Sequence, residues 1–312
     1  MGVAQLGGFR RLRIGSARVS GLDPLLARFT RHVPRFRGWH RMLEPLRRHY
    51  VRRYEGRADR WIVIDDFEGG LRMRLDRSAL MASLIYWRGI HSYSEASLVR
   101  RFLPADGVFL DVGANQGELT LVAARRAPEG SVIAFEPVPT WFELLGENVR
   151  LNGLRNVRLV NAAVADIEGT HEMFAPADDH GGGGHNEGLS TFGRAGELDR
   201  PVGVVPTVTL DRFAEREAID RVDVIKIDVE GAEGLVLSGA RELLARCRPV
   251  LVLEWNPGAL AAVSGPPEQL LRELSALGYR ISEVDPFARI RPLPGGATPR
   301  FDTLLARHAT RH

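Results

Sequence analysis

The chain has 312 residues, with 42 basic and 39 acidic side chains, nine His and a single Cys. A hydrophobic share of 44% beside 26% charged residues excludes wholesale disorder and collagen-like repeats, and one Cys excludes a disulfide scaffold and any multi-Cys metal site. The charge is unevenly spread: residues 1–60 carry 15 Arg and four acids, a net +11, which leaves −8 for residues 61–312.

The basic end, residues 1–60, combines Arg with spaced apolar residues such as Leu43, Leu46, Tyr50 and Tyr54, which predicts short amphipathic helices. It has no apolar secretory core, and no run of about 18 apolar residues follows anywhere. It therefore reads as a basic extension of a cytoplasmic protein. Residues 61–100 open with WIVIDDFEGGLRMRL, a hairpin pattern, and continue as a helical segment broken near Gly89.

From residue 101 the pattern becomes regular. VFLDV (108–112), SVIAFEPV (131–138), VRLVNAAV (157–164), VDVIKIDV (222–229), VLVLEW (250–255) and YRISEV (279–284) are short apolar runs, most of them separated by segments with helical spacing. This alternation predicts an α/β domain over 101–312, a parallel sheet covered on both faces. Residues 165–221 break the rhythm. They lack a clear long helix and contain HGGGGHNEG (180–188), which reads as an exposed Gly-rich insertion near 176–200, either a lid or a linker. Cys247, in LLARCRPVLVL, reads as a buried packing thiol.

In an open parallel sheet, ligands bind beyond the carboxyl ends of the strands. The first run ends in DVGANQG (111–117), where Gly113 and Gly117 permit a tight strand-to-helix turn and leave room for a ligand against the backbone. Asn115 stands where the dinucleotide fingerprint requires its second Gly, which argues against the rival reading of a nucleotide-dependent oxidoreductase. The second run ends in FEPVP and places Glu136 19 residues after Gly117, where an acid can accept hydrogen bonds from both hydroxyls of an adenosine ribose.

DVGANQG, FEPVP, NVRLNGL, NAAVAD, VDVIKIDVEGAEGLVLSGA and PVLVLEWNP together resemble the FkbM family of S-adenosylmethionine-dependent methyltransferases, from about Glu95 to Glu254 with a fainter tail to Arg307. The resemblance implies a Rossmann-like class I methyltransferase fold, a mostly parallel seven-stranded sheet whose last strand, FDTLLAR (301–307), is antiparallel. It implies S-adenosyl-L-methionine as cofactor. Asp111, Gly113, Asn115 and Gly117 would line its methionine half, Glu136 beside Pro137 would hold the ribose, and Ala162, Ala163 and Asp166 would border the adenine. Gln116 and Glu118 depart from the apolar or aromatic residues that relatives often carry there. The implied activity is O-methylation of a small-molecule or glycan acceptor bearing a hydroxyl: a sugar, polyketide or other secondary metabolite.

IKIDVEGAE concentrates Lys226, Asp228, Glu230 and Glu233, with Lys226 and Asp228 on one side of the strand. Asp228 falls beside the expected sulfonium, where an acid can attract the cation, take the acceptor's proton or bind a metal. Glu230 and Glu233 also fit a helix start, as capping acids around Gly231. Glu254 ends the next strand, and Asp228 and Glu254 with Asn256 nearby could hold one Mg²⁺, although an unliganded acid that orients a hydroxyl would serve equally. His180 and His185 read as solvated rather than metal-bound. In relatives a loop of this kind carries Asn, Gly and Ser before an apolar residue, matched here by NEGLSTF (186–192); a residue there could touch the acceptor, and His185 is the candidate general base. The catalytic candidates are thus Asp228, His185 and Glu254. A reading from another class is a nucleic-acid or anionic-membrane binder using residues 1–60; no stacking-aromatic array supports it as the main function, and no nucleic-acid partner is expected.

Overall fold

The computed structural model describes residues 23–33, 39–175 and 200–310. Helices α1 (Asp23–His32) and α2 (Trp39–Tyr54) precede a hairpin of β1 (Trp61–Phe67) and β2 (Leu71–Asp76), followed by α3 (Leu80–Arg88) and α4 (Tyr93–Phe102). Gly89, at φ 84°, ends α3 where the sequence predicts a break. The alternating part begins with β3 (Val108–Val112), α5 (Glu118–Arg126), β4 (Ser131–Phe135), α6 (Pro139–Leu151) and β5 (Val157–Val160). The stretch predicted as irregular contains β6 (Ala163–Val164), β7 (Gly169–Ala175), β8 (Arg200–Val208) and α7 (Leu210–Arg216). Then come β9 (Val224–Ile227), α8 (Glu233–Ser238), α9 (Arg241–Cys247), β10 (Val250–Glu254), α10 (Pro257–Val263), α11 (Pro267–Ala276), β11 (Tyr279–Val284), β12 (Ile290–Pro292) and β13 (Thr303–His308).

The main sheet runs β12-β11-β13-β10-β9-β3-β4-β5. Strands β5, β4, β3, β9 and β10 are mutually parallel, and β13 enters antiparallel between β10 and β11. This is a Rossmann-like α/β architecture of the class I methyltransferase kind. It has eight strands rather than the seven expected, because β12 adds an antiparallel edge to β11. VRLVNAAV is not one strand. Its first half pairs with β4, while Ala163 and Val164 join a separate β6-β8-β7 sheet. Between the halves, the Asn161 side chain donates to the backbone oxygens of Glu136, at 2.7 Å, and Pro137, at 3.1 Å. The Gly-rich stretch, with His180, His185 and Asn186, lies outside the described residues.

Strand pleating sends successive side chains to opposite faces, and the two halves of the core follow that alternation. Phe109, Val132, Val224, Val250 and Val252 pack on one face against α4 and α5. Leu110, Ile133, Ile225, Leu251 and Leu253 pack on the other, against α7 to α11. Ala27, Phe67 and Trp87 belong to the first cluster, so the residues ahead of the sheet share its core. In α2 the predicted inner residues Leu43 and Tyr54 are buried. Cys247 is half-buried rather than buried, its Sγ 3.5 Å from the Asp220 carbonyl. Among the described residues, no helix is long and apolar enough to cross a membrane.

The hairpin is held by two Asn four residues apart, Asn148 in α6 and Asn152 at its C-terminal cap. Asn148 Oδ1 accepts from Arg74 N and Asn152 Oδ1 from Arg72 N, each at 2.7 Å. Four helical residues rise about 6 Å and two strand residues about 6.8 Å, so side chains at i and i+4 can serve alternate residues of a strand edge. Asn148 also donates to the Gln116 carbonyl at 2.9 Å, tying the hairpin to the β3–α5 loop. Asn148 is fully buried. Asn148→Leu should therefore destabilise the fold by about 3 kcal/mol, from orphaned backbone groups, whereas Asn152→Leu, at an exposed pair of bonds, should cost much less. Thermal unfolding of the two variants checks this ordering.

Candidate active site

The C-terminal ends of β3, β4, β9 and β10 open into one cleft of about 250 Å³. Asp111, Gly113, Asn115, Glu136, Pro137, Ala162, Ala163, Asp228 and Glu254 line it, whereas Gly117, Asp166 and Asn256 do not. Gly113 and Gly117 adopt φ 78° and 94°, as the turn requires. The space they leave is filled by the protein itself rather than kept for a ligand. A Cβ on Gly113 would stand 1.9 Å from the Asp228 carbonyl, and one on Gly117 2.6 Å from a Leu145 methyl. The glycines thus let β3 approach β9 and α5 approach α6. Glu136 Oε2 accepts from Asn115 N at 2.8 Å and Oε1 from Val138 N at 2.9 Å. Each oxygen keeps acceptor capacity for a hydroxyl. Burial raises the Glu136 carboxyl to about 7, against those two hydrogen bonds.

Lys226 is the hub of the cleft floor. It is 4% exposed; its ammonium donates to the Gly113 carbonyl at 2.5 Å and lies 3.4 Å from Asp228 Oδ2 and 3.6 Å from Asp111 Oδ1. Burial pulls its pKa down, but the Asp228 and Asp111 carboxylates outweigh that and the net direction is up. Asp111 is fully buried; Thr120 donates to its Oδ2 at 2.5 Å, and its Oδ1 has no hydrogen-bond partner among the described residues. Burial raises the Asp111 pKa despite Lys226.

Asp228, Glu230 and Glu254 bring carboxylate oxygens within 4.8 Å of one another. Glu254 Oε2 is buried and unpartnered among the described residues. Burial and then the Asp228 charge push Glu230 up to about 8 and raise Glu254 well above its ordinary range. Asn256 does not join it: its Oδ1 accepts from Ala259 N at 3.2 Å and caps α10. Glu233 follows the capping reading, its Oε1 accepting from Val229 N at 3.0 Å and Gly231 N at 3.3 Å.

Sequence reasoning missed one wall. Leu80, Met81, His91 and Ser92, all ahead of the main sheet, line the same cleft as Asp228 and Glu254. Glu118, one of the departures from the family pattern, fixes this wall by accepting from His91 N at 2.6 Å and Ser92 N at 3.2 Å. Gln116, the other departure, is buried with neither side-chain amide atom partnered among the described residues. His91 Nδ1 lies 3.1 Å from Ser92 Oγ and 3.9 Å from Glu118. Burial lowers the His91 pKa, partly offset by Glu95 and Asp228. A His adjoining a Ser ahead of the first strand has no spacing signature, and only the fold brings it to the cleft. On the opposite side, Val138, Trp141, Ala162, Ala163 and Met173 form an apolar pocket, whereas Asp166 is exposed and does not line the cleft.

Residues 111–281 match the Methyltransferase FkbM domain model. The chain belongs to the FkbM methyltransferase family. It is 26% identical over 193 residues to methyltransferase sdnD of Sordaria araneosa, covering 54% of this chain and 73% of that one. The 2-O-methyltransferase NoeI of Sinorhizobium fredii is 28% identical, covering 46% of this chain and 61% of its own length. The 31-O-demethyl-FK506 methyltransferase FkbM of Streptomyces tacrolimicus is 32% identical, covering 45% and 61%. The chain thus spans about three fifths of the length of the last two. Among solved structures, a methyltransferase FkbM from Methylobacillus flagellatus overlaps 66% of this chain and 44% of its own, with 16% identity and a TM-score of 0.40.

The family match contains Asp111, Glu136, Asp228 and Glu254, while the His91 wall of this FkbM-family chain lies ahead of it. The cleft also sets a pH dependence. Burial raises Glu118, Glu136 and Glu233 to about 7 and Glu230 to about 8. Between about pH 4.5 and those values the folded protein binds more protons than the unfolded chain, so their contribution to stability is present at low pH and lost as the pH rises. The ligand-free protein should melt roughly 5 °C lower at pH 8 than at pH 5, and Glu136→Gln should reduce that difference.

Proposed function

We propose that the protein transfers the methyl group of S-adenosyl-L-methionine to a hydroxyl oxygen of a small-molecule or glycan acceptor. The observation that carries this reading is the convergence of a buried, half-satisfied acid at the second strand end with an acid cluster at the fourth and fifth. Glu136 has one acceptor site free on each oxygen for the two ribose hydroxyls. Pro137, Ala162, Ala163 and Trp141 offer an apolar slot for the adenine. Asp111 Oδ1, which accepts no hydrogen bond among the described residues and lies 3.6 Å from the Lys226 ammonium, and the Asn115 turn suit the ammonium end of the methionine part. Asp228, Glu230 and Glu254 supply negative charge for the sulfonium.

When bound, the cofactor supplies an electrophilic methyl group on a cationic sulfur that leaves as a neutral thioether. What the chain adds is alignment and proton removal. An alcohol needs its proton taken as the new bond forms. Asp228 and His91, which line the same cleft, are the described groups placed to take it. A divalent cation on the three carboxylates would serve the same end through its oxygen ligands.

Calorimetric titration with S-adenosylmethionine and NADH tests the cofactor. We expect binding of the first, weakened by about 100-fold in Glu136→Ala, and none of the second. Binding of NADH alone would overturn the reading. Labelled transfer to glycan and polyketide fractions then names the acceptor class. Turnover that survives exhaustive chelation assigns the acid cluster to the sulfonium, and loss restored by Mg²⁺ assigns it to a metal.

A further inference from the structure

An amphipathic helix at a protein surface ordinarily turns its apolar side inward. Helix α1 does the reverse: Asp23, Ala27 and Thr30 are buried, while Leu25 and Phe29 are 70% and 67% exposed. Polar contacts fix this orientation. Asp23 Oδ2 accepts from Tyr54 Oη at 2.7 Å and from Arg77 Nη1 at 2.9 Å. Thr30 Oγ1 donates to the Trp87 carbonyl at 2.7 Å, and the Arg31 guanidinium spans Asp66, at 3.0 Å, and the Tyr86 carbonyl, at 2.7 Å. Rotating the helix to hide Leu25 and Phe29 would break all of these bonds.

Helix α2 brings charge to the same region. Its inner face is buried through Leu43, Val51 and Tyr54. Pro45, Arg48, His49, Arg52 and Arg53, spaced i, i+3, i+4, i+7 and i+8, form its outer face and line one shallow depression. Met42, one turn before Pro45, is 65% exposed. The single acid in α2, Glu44, is already held by Arg47, at 2.7 Å, and Arg48, at 2.8 Å. The Tyr54–Asp23 hydrogen bond joins the end of α2 to the start of α1, so Arg52 and Arg53 stand within a turn of that joint on one side and Leu25 and Leu26 on the other.

We propose that the outer faces of α1 and α2 dock the protein on an anionic bilayer surface. Leu25, Phe29 and Met42 enter the boundary between headgroups and acyl chains, and Arg52 and Arg53 meet the lipid phosphates, with Arg48 held beside them by Glu44. Exposed large apolar side chains beside unopposed cations match the two components of interfacial binding, burial of apolar area and attraction to anionic lipid. Nucleic acid would satisfy the Arg side chains and leave Leu25 and Met42 in water. A second copy of the chain would set like charges against one another.

The test uses the full chain in flotation with phosphatidylcholine vesicles and with vesicles of phosphatidylcholine and phosphatidylglycerol. We expect binding to the anionic vesicles alone, release by salt, and about a tenfold or greater loss in both R52E/R53E and L25S/F29S, with melting temperatures unchanged. No flotation of the unaltered protein, equal binding to neutral vesicles, or variants that float like the unaltered protein would overturn the proposal. So would RNA binding lost in R52E/R53E and kept in L25S/F29S, which marks a nucleic-acid face, or a dimer that L25S/F29S dissociates, which marks a self-interface.

Discussion

Lys226→Met is expected to destabilise the protein by about 3–5 kcal/mol, the cost of leaving a buried charge without its partner. Lys226 and Asp111 are 4% and 0% exposed, with the ammonium 3.6 Å from Asp111 Oδ1 and also bonded to the Gly113 carbonyl. Met fills similar volume, so packing survives and the loss is electrostatic. Two features separate this from a simple cavity effect. Burial already raises Asp111 while Lys226 holds it down; without the ammonium its pKa rises further and it takes up a proton. The deficit should therefore shrink as the pH falls, and the double variant Asp111→Asn, Lys226→Met should be more stable than Lys226→Met alone. Chemical denaturation at several pH values measures both; a deficit independent of pH would show that the pair is not ionic.

Asp228→Asn should leave cofactor affinity within a few-fold and lower turnover by about 10²–10⁴. The substitution keeps the size of a side chain that is 39% exposed into the cleft, and keeps an oxygen near Lys226. On the proposed reading, it removes the charge that would face the sulfonium and the capacity to accept the acceptor's proton. Removing one charge should also lower the pKa of Glu230 and Glu254, since the Asp228 charge is the second cause of both shifts. Single-turnover transfer with an identified acceptor, beside calorimetry with the cofactor, separates the effects. Unchanged turnover would reduce Asp228 to a structural acid and leave His91 as the proton acceptor.

Local patterns made the sheet and much of its edge readable. The apolar run of 108–112 is a strand from its first residue to its last, and the alternation that sets Lys226 and Asp228 on one side survives as a 3.4 Å contact. The distance from Gly117 to Glu136 is legible because one helix and one strand fill it. The turn at Gly113 and Gly117 is legible, but composition cannot say whether the space beside Gly113 faces a ligand or the Asp228 carbonyl. The meeting of His91 and Ser92 with Glu118 is beyond reach, since it depends on how α3 and α4 pack on the sheet. Helix α1 marks a similar limit. Its pattern reveals two faces but not which is turned outward, and that choice rests on Tyr54, Arg77 and Trp87, far along the chain.

The paired Asn side chains of α6 work as a ruler laid against β2. Their spacing fits one register of the strand, Arg72 with Asn152 and Arg74 with Asn148, and the same Asn148 reaches the Gln116 carbonyl beside the cleft. A one-residue insertion or deletion within 71–76 would turn every side chain of the strand over and move both marks off the ruler at once. The turn at Glu68–Gly70 is outside its reach. Length variation in this lead-in should accumulate at that turn and be absent from the strand beside it.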